Sequence, residues 1–119
     1  MFHVTVYLWT TGELRQAAVE RLFLAGHRKI GMIAGPEHVF TARERYLGYE
    51  EAFKKAGIEV QDSLVVHGDY TIAGGARAMK ELAKQNPQMT AVFVSNYEMT
   101  VGAMIESNEM ESGFRKICQ

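Results

Sequence analysis

The chain has 119 residues, which is enough for one compact domain and too few for two domains of ordinary size. Hydrophobic residues make up 47% and charged residues 23%, with only two prolines, so the composition is that of a globular protein and not of a disordered tail. A formal net charge of -1 excludes non-specific nucleic-acid binding through a basic surface. The longest apolar runs, such as Ala91 to Val94, are only a few residues long, which excludes a membrane-spanning helix.

The N-terminus and the cysteine content indicate the cellular compartment. Residues 1–4 lack the basic start, the apolar stretch and the cleavage site of a secretory signal. Cys118 is the one cysteine of the chain, so it has no partner for an internal disulfide and no companions for a zinc cluster. We therefore expect a reducing, cytoplasmic environment.

The first third of the chain predicts a strand, a helix and a second strand. Val4 to Leu8 is rich in β-branched and aromatic residues, as strands are. Thr10 and Glu13 have the spacing of a capping box and predict a helix with four apolar positions three or four residues apart: Leu14, Ala18, Leu22 and Ala25. Gly26 is expected to end this helix in a left-handed conformation, followed by cations that suit a helix C-terminus. A buried strand is expected from Ile30 to Ala34.

The middle of the chain repeats this pattern. A second capping box, Thr41 to Glu44, predicts a helix that ends before Gly57. Its apolar positions also step by three or four residues: Tyr46, Tyr49, Phe53 and Ala56. A strand from Ser63 to Val66 and a turn from Gly68 to Tyr70 are expected to follow.

The last part predicts two more helices with a strand between them. The helix from Thr71 to Gln85 is expected to face inward through four residues: Ile72, Ala76, Met79 and Ala83. Gly74 and Gly75 each cost about 1 kcal/mol relative to alanine inside a helix, which indicates close packing against a neighbour. A strand from Thr90 to Val94 comes next, and a third capping box at Ser95 starts a helix that runs to about Asn108.

Four alternations of strand and helix with short connections predict an α/β fold. The sheet should be mostly parallel and lie between layers of helices, because parallel neighbours need crossover helices. Right-handed crossovers bring the carboxyl ends of all strands to one rim, where open α/β sheets bind their ligands. The side chains that follow each strand are thus the candidate functional residues.

Two arginines stand out at this rim. Arg43 and Arg45 lie in the opening of the second helix, where the positive helix end favours acidic residues. Guanidinium groups placed there suit the hydroxyls or the carboxylate of a small ligand. A solvated pair of arginines balanced by Glu44 explains the same pattern, and the residues alone leave both interpretations open.

Tyr70 and Asn96 follow the next two strands. Tyr70 comes directly after a turn, where an aromatic ring can stack on a sugar or a base, but a half-buried tyrosine covering the helix end fits as well. Asn96 carries a carboxamide that can donate and accept, yet asparagine is also a preferred helix cap, and plain capping is the simpler explanation.

Nothing in the chain predicts catalysis, a cofactor or a metal. There is no P-loop and no dinucleotide-binding pattern. His67 and Asp69 lie at a strand end without a serine or cysteine nucleophile in a recognisable motif beside them. The other histidines, His3, His27 and His38, show no metal-ligand spacing.

The fourth helix is apolar on two sides. Met99 and Ala103 form one line, and Val101, Met104 and Ile105 form another. One face can cover the sheet and the other is a candidate for a partner chain, although a fully buried helix gives the same pattern.

Several ordered segments resemble one known family. They resemble the effector-binding core of the lactose-repressor/galactose-repressor family of bacterial transcription regulators in residues 18–22, 26–36, 42–49, 68–70 and 91–103. The resemblance implies a periplasmic-binding-protein-like type I fold and specifically its C-terminal subdomain. It also implies a sugar or sugar-derivative effector and no enzymatic activity.

The resemblance also implies roles for individual residues. Arg45 falls on the effector-gripping arginine, Thr41 on a nearby polar contact, Tyr70 on the stacking aromatic and Asn96 on the cleft asparagine. Tyr97 departs from the aspartate found in many members. With Arg43 from the rim argument, these form the candidate ligand site, and the candidate dimer interface consists of Ile72, Val101, Met104 and Ile105.

The resemblance finally sets expectations for domains and partners. Neither a helix-turn-helix segment nor the N-terminal subdomain is recognised, so residues 1–119 are expected to be a truncated effector-binding domain that reaches DNA only through a missing domain. Such a piece should hold a sugar weakly or not at all and should form a homodimer or a swapped oligomer. Two other functions remain open: a solute-binding receptor of a sugar transport system and a small flavodoxin-like enzyme.

Overall fold

A computed structural model of the chain describes residues 3–8, 17–109 and 113–118, with the side chains of residues 4–7 and 19–107. The strands are β1 (His3–Leu8), β2 (Ile30–Ala34), β3 (Val65–His67), β4 (Ala91–Val94) and β5 (Gly113–Cys118). The helices are α1 (Ala17–Leu24), α2 (Phe40–Lys55), α3 (Ile72–Gln85) and α4 (Tyr97–Glu109), with a short 3₁₀ turn at Asp62–Leu64 before β3.

The five strands form one parallel sheet in the order β3-β2-β4-β1-β5. Ile30 of β2 pairs with Ala91 of β4, and Thr5 of β1 pairs with Ala91 from the other side, so β4 is central. The predicted α/β class with a parallel sheet is confirmed, and the four predicted strands lie within two residues of their expected bounds. The fifth strand, β5, was not predicted.

Alternating strand residues fill two separate cores. In β4, Ala91 and Phe93 face the layer of α1 and α2, whereas Val92 and Val94 face the layer of α3 and α4. The α1–α2 side is filled by residues that include Val19, Leu22, Tyr49, Ala52 and Phe53. The α3–α4 side is filled by residues that include Ala78, Met79, Leu82, Met99 and Ala103. The strands read as continuous apolar runs because both faces of the sheet are covered.

Two glycines end the first two helices as predicted. Gly26 has φ 101° and Gly57 has φ 76°, in the left-handed region where residues with a Cβ are strained. The amide of His27 donates to the Leu22 carbonyl at 3.0 Å, and the amide of Ile58 donates to the Phe53 carbonyl at 2.9 Å. Both helices thus end in the same Schellman arrangement.

Three predicted helix details are wrong, and one lies outside the described residues. α2 begins at Phe40 without a side-chain cap, because a turn from Pro36 to Val39 starts it before Thr41. α4 is capped by Asn96 and not by Ser95. Ile72 is exposed and not inward, since the buried face of α3 carries Gly74, Gly75, Ala78, Met79 and Leu82. The capping box predicted at residues 10–13 is not among the described residues.

Gly75 of α3 and Gly102 of α4 bring the two helices into backbone contact, which confirms the close packing predicted at Gly75. A Cβ at Gly75 would overlap the Met99 carbonyl, and a Cβ at Gly102 would overlap the Ile72 carbonyl. The side chain of Met99 in turn lies against Gly68, just before the turn that leads into α3. The beginnings of α3 and α4 are therefore held at the same end of the sheet.

Candidate functional site

The carboxyl ends of β2 and β4 form the switch point of the sheet. The two strands are neighbours, but the chain leaves β2 through α2 on one face and leaves β4 through α4 on the other. The two connections then run to opposite sides, to β3 and to β5. A crevice opens at such a point, and ligands of open α/β folds bind there.

Arg45 crosses this crevice. It lies in the second turn of α2, is half-buried, and donates from Nη1 to the backbone carbonyl of Ser95 at the end of β4. The Ser95 amide donates to the carbonyl of Ile33 in β2 at 3.1 Å, so the carbonyl that receives Arg45 belongs to a fixed segment. A guanidinium has five N–H donors, and this bond uses one of them.

Tyr70 forms a second part of the crevice from the turn between β3 and α3. Its φ of 70° makes it the one non-glycine residue with positive φ in the described part of the chain. The phenol ring lies on Gly35, where a Cβ would come within 2.5 Å of Tyr70 Oη. The turn is tied to β2 because the Gly68 amide donates to the Ala34 carbonyl at 2.7 Å. Only a glycine at position 35 leaves room for the ring.

Asn96 joins the Tyr70 turn to α4. Its Oδ1 accepts the Met99 amide at 3.1 Å, which is the capping bond that its residue type predicts. Its Nδ2 donates to the Tyr70 carbonyl at 3.1 Å and to Glu98 Oε1 at 3.0 Å. The structure thus brings Arg45, Tyr70 and Asn96 together at the switch point through two hydrogen bonds to backbone carbonyls.

The structure does not place Thr41 and Arg43 within that linked set. Thr41 is exposed in the first turn of α2, and Arg43 is exposed beside a separate pocket of about 400 Å³. This pocket lies between α2 and the β3 edge of the sheet and is lined by Gly35, Glu37, Ala42, Arg43, Tyr46, Val60, Asp62, Val65 and His67. Gly35 belongs to both places, with the Tyr70 ring on it and the pocket beside it.

Sequence reasoning missed two residues that line this pocket. His67 donates from Nδ1 to the Gly35 carbonyl at 2.9 Å and places Nε2 3.5 Å from Glu37 Oε2. Burial raises the pKa of the Tyr46 phenol, and the nearby carboxylates of Glu50 and Asp62 raise it further. The signal for His67 was its place at a strand end, directly before the Gly68 turn.

Ser95 was also missed as a site residue. The residue is 1% exposed, and its hydroxyl has no hydrogen-bond partner within the described residues. A buried hydroxyl without a partner costs about 1 to 3 kcal/mol. The capping-box pattern assigned this hydroxyl to a helix cap, but Asn96, whose residue type also suits a cap, takes that role.

Asp69 is occupied by its own turn. Its Oδ1 accepts the Thr71 hydroxyl at 2.6 Å and the Thr71 amide at 3.1 Å. These hydrogen bonds, with a smaller contribution from Arg77 at 3.6 Å, hold the pKa of the Asp69 carboxyl below its ordinary value. The carboxylate therefore secures the start of α3.

The second face of α4 is accessible. Ile105 of α4 is 49% exposed, and Val101 and Met104 are half-buried. Ile72, at the start of the neighbouring α3, is 48% exposed. Met99 and Ala103 on the opposite face are buried in the core. Of the predicted second line, Ile105 is exposed, whereas Met104 packs partly against the core that holds Met99 and Ala103. The pairing of this side with a second chain stays a prediction.

The described residues hold no cluster of three or more His, Cys, Asp or Glu side chains that could bind a metal ion. In the same residues, no helix combines the length and the apolar character needed to cross a membrane.

Comparisons with known proteins give one consistent result. Residues 4–114 match the family model for periplasmic binding proteins and the sugar-binding domain of the LacI family. The chain is 41% identical over 87 residues to the HTH-type transcriptional regulator CelR of Thermobifida fusca, covering 73% of the chain and 26% of CelR. A sugar-binding LacI-family regulator from Escherichia coli, solved with phosphate, superimposes with a TM-score of 0.83 at 29% identity over 88% of the chain and 39% of that protein.

A solved complex of the regulator CelR with cellobiose is also similar. It superimposes with a TM-score of 0.79 at 36% identity and covers 97% of the chain and 36% of that protein. The chain spans about a quarter of the length of the curated relatives that it matches.

Proposed function

The chain belongs to the family that comprises periplasmic binding proteins and the sugar-binding domain of LacI-type regulators, and we propose that it is the effector-sensing part of a bacterial transcriptional repressor. The convergence of Arg45, Tyr70 and Asn96 at the switch point carries this proposal. Curated relatives named as helix-turn-helix regulators and repressors favour it over a solute-binding receptor of a transport system.

The proposed effector is a sugar or a sugar derivative. A guanidinium presents planar, forked donors that match ligand hydroxyls, and the face of a tyrosine ring packs on the apolar face of a sugar. Arg45 and Tyr70 supply these two groups from opposite layers of the fold. Thr41 is proposed as a polar contact at the edge of the site, and Arg43 as a contact only for an effector that extends into the neighbouring pocket.

The proposal extends to the whole regulator. The chain corresponds to the C-terminal subdomain of the effector-binding domain, which pairs with a second copy through Ile72, Val101, Met104 and Ile105. DNA is contacted by another part of such a regulator, in the cytoplasm. No reaction is proposed, because the crevice lacks a nucleophile beside a general base among its described side chains.

The test is a titration of the ¹⁵N-labelled chain followed by NMR. The probes are cellobiose, glucose, galactose and ribose at millimolar concentrations, since an isolated piece is expected to bind weakly. We expect at least one sugar to shift the amide resonances of Tyr70 and Asn96, and Arg45→Ala to abolish the shift. Resonance shifts confined to residues far from the switch point would refute the proposal. It would also be refuted if none of these sugars shifted a resonance, either in the chain alone or in a full-length regulator that contains it.

A further inference from the structure

The backbone of Tyr70 is held in an unfavourable conformation. A positive φ is strained for a bulky residue and persists only where the surroundings impose it. The turn therefore needs contacts that hold Tyr70 in place on both sides of its Cα. On the N-terminal side, the Gly68 amide is bound to the Ala34 carbonyl at 2.7 Å.

On the C-terminal side, two contacts hold the turn. Thr71 is fixed because its amide and its hydroxyl both donate to Asp69, and its hydroxyl also accepts the Gly74 amide at 2.9 Å as the cap of α3. The carbonyl of Tyr70 itself accepts Asn96 Nδ2 at 3.1 Å. This bond comes from a different strand-to-helix turn and fixes the peptide plane that follows the Tyr70 Cα.

The carboxamide of Asn96 is fully engaged as a donor. Its two N–H groups reach the Tyr70 carbonyl and Glu98 Oε1, and its oxygen accepts the Met99 amide. A carboxamide has two donors, so none is left for a ligand. A ligand can therefore meet only the Asn96 oxygen directly, and the N–H groups of this side chain act on a binding site through the residue that they hold.

We propose that Asn96 is a positioning residue that keeps the Tyr70 ring on Gly35 and thereby shapes the aromatic wall of the crevice. This inference rests on the proposed function only for its effect on ligand affinity. The position of the ring in the free protein is a property of the chain alone. It differs from direct donation by Asn96 to the effector, which would require the carboxamide to give up one of its present acceptors.

Substitution with aspartate separates positioning from capping. Aspartate caps a helix as well as asparagine does, but it lacks the N–H that reaches the Tyr70 carbonyl. The change is made in a Glu98→Gln background so that two carboxylates do not face each other, and Glu98→Gln alone is the matched control. Asn96→Ser is the second variant, because serine also caps but is too short to reach Tyr70.

The readout is the NMR spectrum of the ligand-free chain. The ring current of Tyr70 shifts the α-proton resonances of Gly35, on which the ring lies, so these protons report its position. We expect both Asn96 variants to move the Gly35 α-protons and the Tyr70 amide, while the α4 amide resonances and the helical circular dichroism stay as in the control. Unchanged Gly35 and Tyr70 signals in both variants would overturn the proposal and leave Asn96 as a helix cap only.

Ligand titration then distinguishes the two proposals. If a sugar of the panel binds, the Asn96 variants should lower its affinity by up to about tenfold, as expected for one lost neutral hydrogen bond. In a Tyr70→Ala background the same substitutions should cause no further loss of affinity. An equal loss in the Tyr70→Ala background would show that Asn96 acts independently of Tyr70 and would overturn positioning. If no sugar binds but the Gly35 signals move, the positioning role stands and the proposed function fails.

Discussion

The guanidinium of Arg45 and the backbone carbonyl of Ser95 join two layers of the fold across the end of the sheet. Arg45 belongs to α2 and Ser95 ends β4, so a single hydrogen bond connects the helix of one face with the start of the helix on the other. A ligand that attracts the guanidinium acts on both sides of the crevice at once.

Arg45 should matter more than Arg43 for effector binding in the parent regulator. We expect Arg45→Ala to weaken binding by about 1 to 3 kcal/mol, the range for a hydrogen bond to a charged group. Arg43→Ala should change it by less than about 1 kcal/mol, because Arg43 faces the neighbouring pocket. Isothermal titration calorimetry measures both, and equal losses would contradict the separation of the two sites.

Gly35→Ala should displace the Tyr70 ring. A Cβ at this position would lie 2.5 Å from Tyr70 Oη, so the substitution should cost about 1 to 3 kcal/mol as an overpacked site. The matched control is the same change in a Tyr70→Ala background, where the ring is absent and the cost should largely disappear. Urea unfolding of the four proteins gives the interaction free energy, and a cost that is the same in both backgrounds would contradict the contact.

The left-handed backbone at Tyr70 predicts an unusual order of stability. Glycine adopts φ 70° without strain, whereas alanine does not. Tyr70→Gly should therefore be more stable than Tyr70→Ala by about 1 kcal/mol, although glycine ordinarily destabilises a folded chain. Thermal unfolding followed by circular dichroism compares the two, and a more stable alanine variant would show that the turn relaxes once the ring is removed.

Two buried hydroxyls should respond in opposite directions to removal. Ser95→Ala deletes a hydroxyl without a partner among the described residues and should raise the free energy of unfolding by up to about 1 kcal/mol. Thr100→Val deletes a hydroxyl that donates to the Asn96 carbonyl at 2.8 Å and should lower it by about 1 kcal/mol. Denaturant unfolding measures both changes, and a loss of stability in Ser95→Ala would mean that a water molecule or another group satisfies the hydroxyl.

His27 should make the fold less stable in mild acid. Burial lowers the pKa of its imidazole below the ordinary value of 6.5, and Nδ1 lies 2.8 Å from Thr90 Oγ1. In the unfolded chain the group takes up a proton near pH 6.5, before the folded chain does. The stability that the neutral imidazole contributes is therefore fully present above pH 6.5. It is lost as the pH falls from there through the lowered pKa of the folded state.

The control for this pH dependence is His27→Gln, which keeps a polar group near Thr90 but does not titrate. We expect the free energy of unfolding to fall less between neutral pH and pH 5.5 in this variant than in the original chain. Parallel curves for the two proteins would contradict the assignment.

Much of the fold follows from local chemistry that the sequence displays. Gly26 and Gly57 were predicted to end helices because their conformation is open to few other residues, and both do. The start of α2 was predicted incorrectly, since it depends on how the chain turns after Pro36 and not on the hydroxyl of Thr41. β5 was missed because its place beside β1 depends on pairing between distant segments.

Three of the five candidate ligand residues were correctly predicted to meet at one rim, but their connections were not predictable. The order of strands and helices is enough to bring Arg45, Tyr70 and Asn96 to one rim. Their partners in the structure are backbone carbonyls of Ser95 and Tyr70, which no residue type reveals. For the same reason the sequence could not tell that Asn96 serves the turn that holds Tyr70 as well as its own helix.

The contact of α3 and α4 through Gly75 and Gly102 determines how the outer surface behaves. Where main chain meets main chain, no rotamer change can absorb a displacement, so we expect the two helices to shift together. We therefore expect Ile72 on one helix and Ile105 on the other to keep their spacing, so that a second molecule docking there, as proposed, would meet a rigid surface.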